Sequence, residues 1–180
     1  ALNGLGGVGK TQSAIEYAYR HKHEYKLIFY IGAYTELELK ENFFELARNL
    51  ALPEMATKNL DDVVSAVKRW LESHSAWLLI FDNADRLDLL KPFLPNNPEG
   101  HILVTSRLQV LDAVGIAKPL EVTEMTPKEA LEFLLKRTGS EDKDSAEKEA
   151  AAKLARELGY LALALEQAGA YINAKRARFQ

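Results

Sequence analysis

Gly4-Leu5-Gly6-Gly7-Val8-Gly9-Lys10-Thr11 meets the pattern G-x-x-x-x-G-K-[ST] in full. Glycines in such a loop allow backbone angles that turn successive N–H groups around an anion. A helix opening at Gly9-Lys10-Thr11 would point its positive dipole end at the same place. Lys10 adds a point charge toward the β- and γ-phosphates of a nucleotide, and the Thr11 hydroxyl can ligate Mg²⁺. A loop of this kind joins a buried β-strand to a helix. Only Ala1-Leu2-Asn3 precede it, so the chain reads as a segment of a longer protein whose first strand is truncated.

Working outward, the small or apolar residues Ala14, Ile15, Ala18 and Tyr19 recur at helical spacing and predict a helix to about Arg20. Lys26-Leu27-Ile28-Phe29-Tyr30-Ile31 is a continuous apolar run of β-formers, as expected of a strand covered on both faces. A helix is predicted over 37–52, stopped by Pro53. Another follows Asn59 as its cap, with Asp61 and Asp62 in its first turn. Trp77-Leu78-Leu79-Ile80-Phe81 is the strongest strand and ends in Asp82. Residues 87–93 predict a short helix or turn. His101-Ile102-Leu103-Val104-Thr105 is another buried strand, and Leu120-Glu121-Val122 a further short one. From there the pattern is helical only. Thr126-Pro127-Lys128-Glu129 is a strong helix start. A polar loop is expected over 138–144, a charged helix over 145–158 with Gly159 closing it, and a last helix over 161–174 without a clear terminator. Strands alternating with helices and then helices alone predict a parallel α/β nucleotide-binding domain over 1–122 and a small all-helical subdomain over 123–180.

A carboxylate at the carboxyl end of a buried parallel strand faces the crevice where α/β ligands bind. Beside a P-loop, Asp82 is therefore the candidate Mg²⁺ partner of Thr11, the Walker B position. Asp85 either polarises an attacking water or caps the helix starting near Arg86. Ile102-Leu103-Val104-Thr105-Ser106-Arg107 brings hydroxyls and a guanidinium to the same sheet edge, where Arg107 can sense a γ-phosphate and stabilise charge. Asp85 and Arg107 are the candidate catalytic residues.

Composition narrows the classes. Of 180 residues, 47% are hydrophobic and 27% charged, enough to bury a sizeable core. A net charge of −3 gives no basic footprint for nucleic acid. The chain has no cysteine, which removes disulfides, thiolate zinc sites and thiol catalysis and points to a reducing compartment, the cytoplasm. No apolar run reaches the roughly 18 residues of a membrane span, so no membrane partner is expected. His21, His23 and His74 are read as solvent-facing, His101 as structural, and Trp70 and Trp77 as core. The charge-rich run over 141–153 reads as a solvated helix face.

The blocks Gly4 to Thr11, Trp77 to Asp85 and Gly100 to Arg107, with Leu158-Gly159-Tyr160-Leu161-Ala162-Leu163-Ala164-Leu165 as a fourth, resemble the NB-ARC family of STAND-type signalling ATPases. The wording of the second and third looks most like bacterial and fungal members with tetratricopeptide repeats downstream. The resemblance implies a sheet with the Arg107 strand between the P-loop and Asp82 strands, and a helical domain closing over ATP or ADP with Mg²⁺. It implies nucleotide contacts from Gly4, Leu5, Gly6, Gly7, Val8, Gly9, Lys10, Thr11, Gln12, Arg107, Leu161 and Ala162, with the metal at Thr11 and Asp82. It also implies a switch: ADP holds a closed monomer, ATP permits self-association, and slow hydrolysis resets the state. The partners expected are nucleotide, further copies, and effector or repeat domains of the same parent chain. Two departures stand out. The family's proline in the fourth block is Ala162, and the second acidic residue of many plant members is Asn83. Catalysis must then draw on Asp85, another group, or positioning alone. A remodelling ATPase of the AAA+ or origin-recognition kind shares the first three blocks, and a nucleotide-gated transcriptional regulator is a third reading.

Overall fold

A computed structural model describes residues 1–56, 59–96, 98–140 and 144–179. Five strands, β1 (Leu2–Asn3), β2 (Leu27–Gly32), β3 (Trp77–Asp82), β4 (His101–Ser106) and β5 (Leu120–Glu121), form one parallel sheet in the order β2-β3-β4-β1-β5. Every residue of β3 is buried, which explains its unbroken apolar run. β4 lies between β1 and β3, as the resemblance implies. Short as it is, β1 is held on both sides: Leu2 pairs with Thr105 and Leu120, Asn3 with Ser106 and Glu121. The carboxyl ends Asn3, Asp82 and Ser106 therefore come out along one sheet edge.

The chain divides into two compact units, Ala1–Gly4 with Lys10–Glu121, and Leu5–Gly9 with Val122–Gln180. In the first, α2 (Glu36–Asn49) and α3 (Leu60–Ser73) cover the sheet. Their Leu39, Phe43, Leu46, Val67 and Leu71 join Ile31, Leu79, Phe81 and Val104 in one core cluster. α2 starts one residue before the expected position because Thr35 caps it, its side chain accepting from Glu38 N–H. It also ends earlier, at Asn49. Ala51 takes a left-handed φ of 52°, and a 3₁₀ turn opens at Pro53, whose ring disfavours helical backbone at the residue before it. Asn59 caps α3 as expected, accepting from Asp61 N–H.

The first helix, α1 (Lys10–Arg20), spans the expected stretch and buries only part of its apolar set. Ala14 and Ala18 pack on Leu78 and Ile80, whereas Ile15 and Tyr19 are 44% and 66% exposed. Two alanines let the helix lie close to the sheet, so only a narrow strip of it is covered. Trp70 is partly buried against the same core and stacks flat on His74, with ring centroids 4.1 Å apart. Trp77 is fully buried, its indole N–H donating to the carbonyls of Leu71 and His74. α4 (Leu87–Leu90) continues as a 3₁₀ turn to Phe93.

In the second unit, α5 (Pro127–Thr138), α6 (Ser145–Glu157) and α7 (Ala162–Lys175) bury Ala130, Leu134, Ala151, Ala155 and Leu165 against one another. Thr126 and Glu129 form a full capping box at the start of α5. Part of the expected polar loop is helix instead: Thr138 ends α5 and Gly139 closes it with φ 62°. The rest of that loop over 141–143, and the start of the charge-rich run, lie outside the described residues. α7 does have a terminator, because Arg176 takes the left-handed φ of 49°.

Candidate functional site

The phosphate loop follows β1 directly. Gly7 and Gly9 take φ of 82° and 107°, a region that L side chains rarely adopt. A Cβ on Gly7 would also lie 3.4 Å from Leu163 Cβ, and one on Gly9 3.7 Å from Ala162 Cβ. Within the second unit the loop thus meets the start of α7. Leu163 N–H donates to the Gly7 carbonyl at 3.0 Å, Ala162 is the first helical residue and Leu161 its N-cap. Leu5 and Gly6 are exposed, and Val8 is buried.

Lys10 and Thr11 open α1, with Gln12 exposed behind them. Lys10 is buried, and its Nζ donates to the Gly4 carbonyl at 2.8 Å. Burial pushes its pKa down, Asp85 pulls it up, Arg107 pushes it down again and Asp82 pulls it up, with a net lowering. Four charged side chains thus act on one another in this small region.

Asp82 is its hub. Its Oδ1 accepts from the Thr11 hydroxyl at 2.8 Å and from the Thr105 hydroxyl at 2.6 Å. Its Oδ2 accepts from the Tyr30 hydroxyl at 2.6 Å and from Asn83 Nδ2 at 3.2 Å. A buried polar side chain needs such hydrogen-bond partners. Thr105 serves twice, its oxygen also accepting from Asn83 N–H. Asn83 takes a left-handed φ of 59°, which turns the chain sharply after β3. Tyr30 was not among the expected site residues. The signal available for it was a lone phenol in an otherwise apolar strand. β2 pairs with β3, Tyr30 opposite Ile80 and Gly32 opposite Asp82, which carries that hydroxyl to the carboxylate.

Asp85 does not cap the next helix. Arg86 is the N-cap of α4, without a side-chain cap bond. The Asp85 carboxylate grips the end of β4 instead: Oδ1 accepts from Arg107 N–H at 2.7 Å and Ser106 Oγ at 3.2 Å, and Oδ2 from Arg107 Nε. Burial works to raise its pKa, but the hydrogen bonds and charge of Arg107 outweigh it, and the net direction is down. The Arg107 side chain is 64% exposed against 16% for Asp85.

Chemically, the site offers an ammonium, a guanidinium, a hydroxyl and a carboxylate around the end of one strand. Thr11 and Asp82 are hard oxygen donors in mutual contact, the kind magnesium takes. Magnesium is held by one or two protein oxygens together with waters and substrate phosphates, and the pair fits that demand. Among the described residues no group of three or more His, Cys, Asp or Glu is arranged to hold a metal.

Residues 1–144 match the NB-ARC domain family. A nucleotide-binding leucine-rich repeat (NLR)-like protein of Hyaloscypha variabilis is 34% identical over 194 aligned positions, which cover 96% of this chain and 19% of that protein. The chain therefore spans about a fifth of that relative's length. Among solved structures, a STAND protein with a tetratricopeptide repeat sensor from Pyrococcus horikoshii superposes with a TM-score of 0.55 at 19% identity, over 89% of this chain and 25% of that one. Cdc6p from Pyrobaculum aerophilum gives 0.68 at 15% identity, over 98% and 56%. These two likenesses concern the fold. The chain belongs to the NB-ARC family of STAND-type P-loop NTPases, and that membership implies nucleotide binding. Among the described residues no helix is long and apolar enough to cross a membrane.

Proposed function

We propose that this NB-ARC module binds ATP or ADP with Mg²⁺ and serves as the regulatory switch of a larger signalling protein, in which slow hydrolysis resets an ATP-dependent self-association. The observation that carries the reading is the Thr11–Asp82 hydrogen bond beside the buried Lys10. It unites the two oxygen donors of a magnesium site with the charge that would meet the phosphates. Thr11 would ligate the metal and Asp82 would hold it through water, while Lys10 neutralises phosphate charge. The metal, when bound, would supply Lewis-acid stabilisation of the phosphate oxygens. Arg107 would face the γ-phosphate, and Leu161 and Ala162 would close on the nucleotide from the start of α7.

Slow turnover suits this residue set. Asn83, directly after Asp82, is an amide that takes no proton at neutral pH, and a carboxylate held by a guanidinium, as Asp85 is, makes a poor proton acceptor. Effector or repeat domains of the parent chain and further copies of it are the partners in this reading, and the cytoplasm its location. The test is nucleotide titration of the intact parent protein and of Lys10→Ala. The variant should lose ATP and ADP binding, and unchanged affinity would overturn the proposal. The superposition on Cdc6p favours a second reading, a remodelling ATPase. That predicts sustained turnover, whereas the switch predicts nucleotide-dependent assembly with turnover below about one per second, the low end of ordinary enzymes.

A further inference from the structure

We infer that Asp85 is a positioning residue that aims Arg107 at the terminal phosphate, and so sets how strongly the module prefers ATP over ADP. The inference rests on the nucleotide-binding reading above. One carboxylate holds both the main-chain N–H and the side-chain Nε of Arg107, and it is steadied by Ser106 Oγ on the same oxygen as the main-chain bond. Gripping a residue at its backbone and at its Nε closes a ring and leaves the guanidinium one direction in which to project. The anchor is shielded and the arginine reaches outward, with side chains 16% and 64% exposed.

Nε uses one of the five N–H groups of an arginine. Among the described residues the two terminal nitrogens have no hydrogen-bond acceptor, so a fork remains for a planar or tetrahedral anion. A guanidinium held from behind by one carboxylate keeps its outward edge available to an anion. Pre-ordering the fork removes the entropy cost of fixing a long side chain at the moment of binding. ADP lacks the group the fork would meet, so its binding should ignore the device.

The experiment measures ATP and ADP dissociation constants with Mg²⁺ for the full-length parent protein, for Asp85→Ala, Asp85→Asn and Arg107→Ala, and for the Asp85→Ala, Arg107→Ala double variant, with a melting curve of each. Asp85→Ala should weaken ATP on the order of tenfold, within the range of measured pair couplings, and leave ADP within about twofold. Asp85→Asn preserves shape but turns an N–H or an uncharged oxygen toward Nε, and should behave like the alanine variant. The double variant should bind ATP no worse than Arg107→Ala alone. Equal weakening of ATP and ADP, or additive effects in the double variant, overturns the inference while leaving nucleotide binding intact. A wild-type protein that binds neither nucleotide overturns this inference and the reading beneath it together.

Discussion

The Thr11 hydroxyl and Asp82 Oδ1 lie 2.8 Å apart, joining the first turn of α1 to the end of β3 across 71 positions of sequence. Neither partner is redundant in this arrangement. The hydroxyl donates to the carboxylate here, and its oxygen lone pairs remain for a cation.

Thr11→Val keeps the branched shape of the side chain and removes that oxygen. Magnesium should then cease to strengthen ATP binding, with a loss of roughly 10–100-fold, the scale seen when a metal site's supporting groups are removed. Calorimetric titration of the parent protein with and without Mg²⁺ reads this directly. An undiminished magnesium effect would remove Thr11 from the metal site.

Tyr30→Phe deletes one of the four donors to Asp82 and leaves the ring in place. A hydrogen bond to a charged group contributes about 1.5–3 kcal/mol; because the phenol is half-exposed, the lower end is expected here. The alkaline limb gives a second readout. Burial, and then the bond to Asp82, raise the Tyr30 pKa above its ordinary 10.0. A raised value means the neutral phenol stabilises the fold below pH 10, and that this contribution fades as pH rises toward the folded-state value. Melting temperature should therefore fall less steeply above pH 10 in Tyr30→Phe than in the wild type. Parallel curves would count against the bond.

Asp85 works with the opposite sign. Its pKa is lowered from 3.8, so the ionised form stabilises the fold at neutral pH, and that contribution is lost as pH falls below about 4 through the folded-state value. Asp85→Asn should melt lower than wild type at pH 7, and the gap should close in acid. A gap that is the same size on the acid side, with no narrowing as pH falls, would count against a contribution from the charge of Asp85.

Gly100→Ala tests packing at the base of β4. A Cβ there would overlap the ring of Trp77 and lie 2.6 Å from its carbonyl oxygen. Trp77 is fully buried and tied by its indole N–H, so it cannot retreat cheaply. Destabilisation of about 1–3 kcal/mol is expected from such overpacking, equivalent to a melting point lower by roughly 2–12 °C. Differential scanning calorimetry would show it, and an unchanged melting point would refute the contact.

Local chemistry explains which parts of this molecule were legible from residue order. Asp82 could be placed because a buried apolar run ending in an acid is visible in one line, and the start of α5 because Thr126 and Glu129 sit three apart. Tyr30 could not, nor could the grip of Asp85 on Arg107, since the partners come from other strands and only the pairing of β3 with β2 and with β4 brings them close. Helical spacing puts Ile15 and Tyr19 on α1 without deciding whether they are buried. Helical spacing reports which residues share a face, while the closeness of two alanines to the sheet decides how wide a face is covered. Thr35 caps α2 from a position that precedes the apolar pattern of that helix, so the pattern does not reveal it.

The grouping of Leu5–Gly9 with Val122–Gln180 bears on how the molecule could be dissected. A single cut after Glu121 looks like a clean way to obtain the helical part alone. It would leave Leu163 N–H without the Gly7 carbonyl it donates to, and strip the start of α7 of the backbone it packs on. The helical unit is discontinuous in sequence, and any attempt to transplant or express it by itself must carry a piece of the glycine loop along.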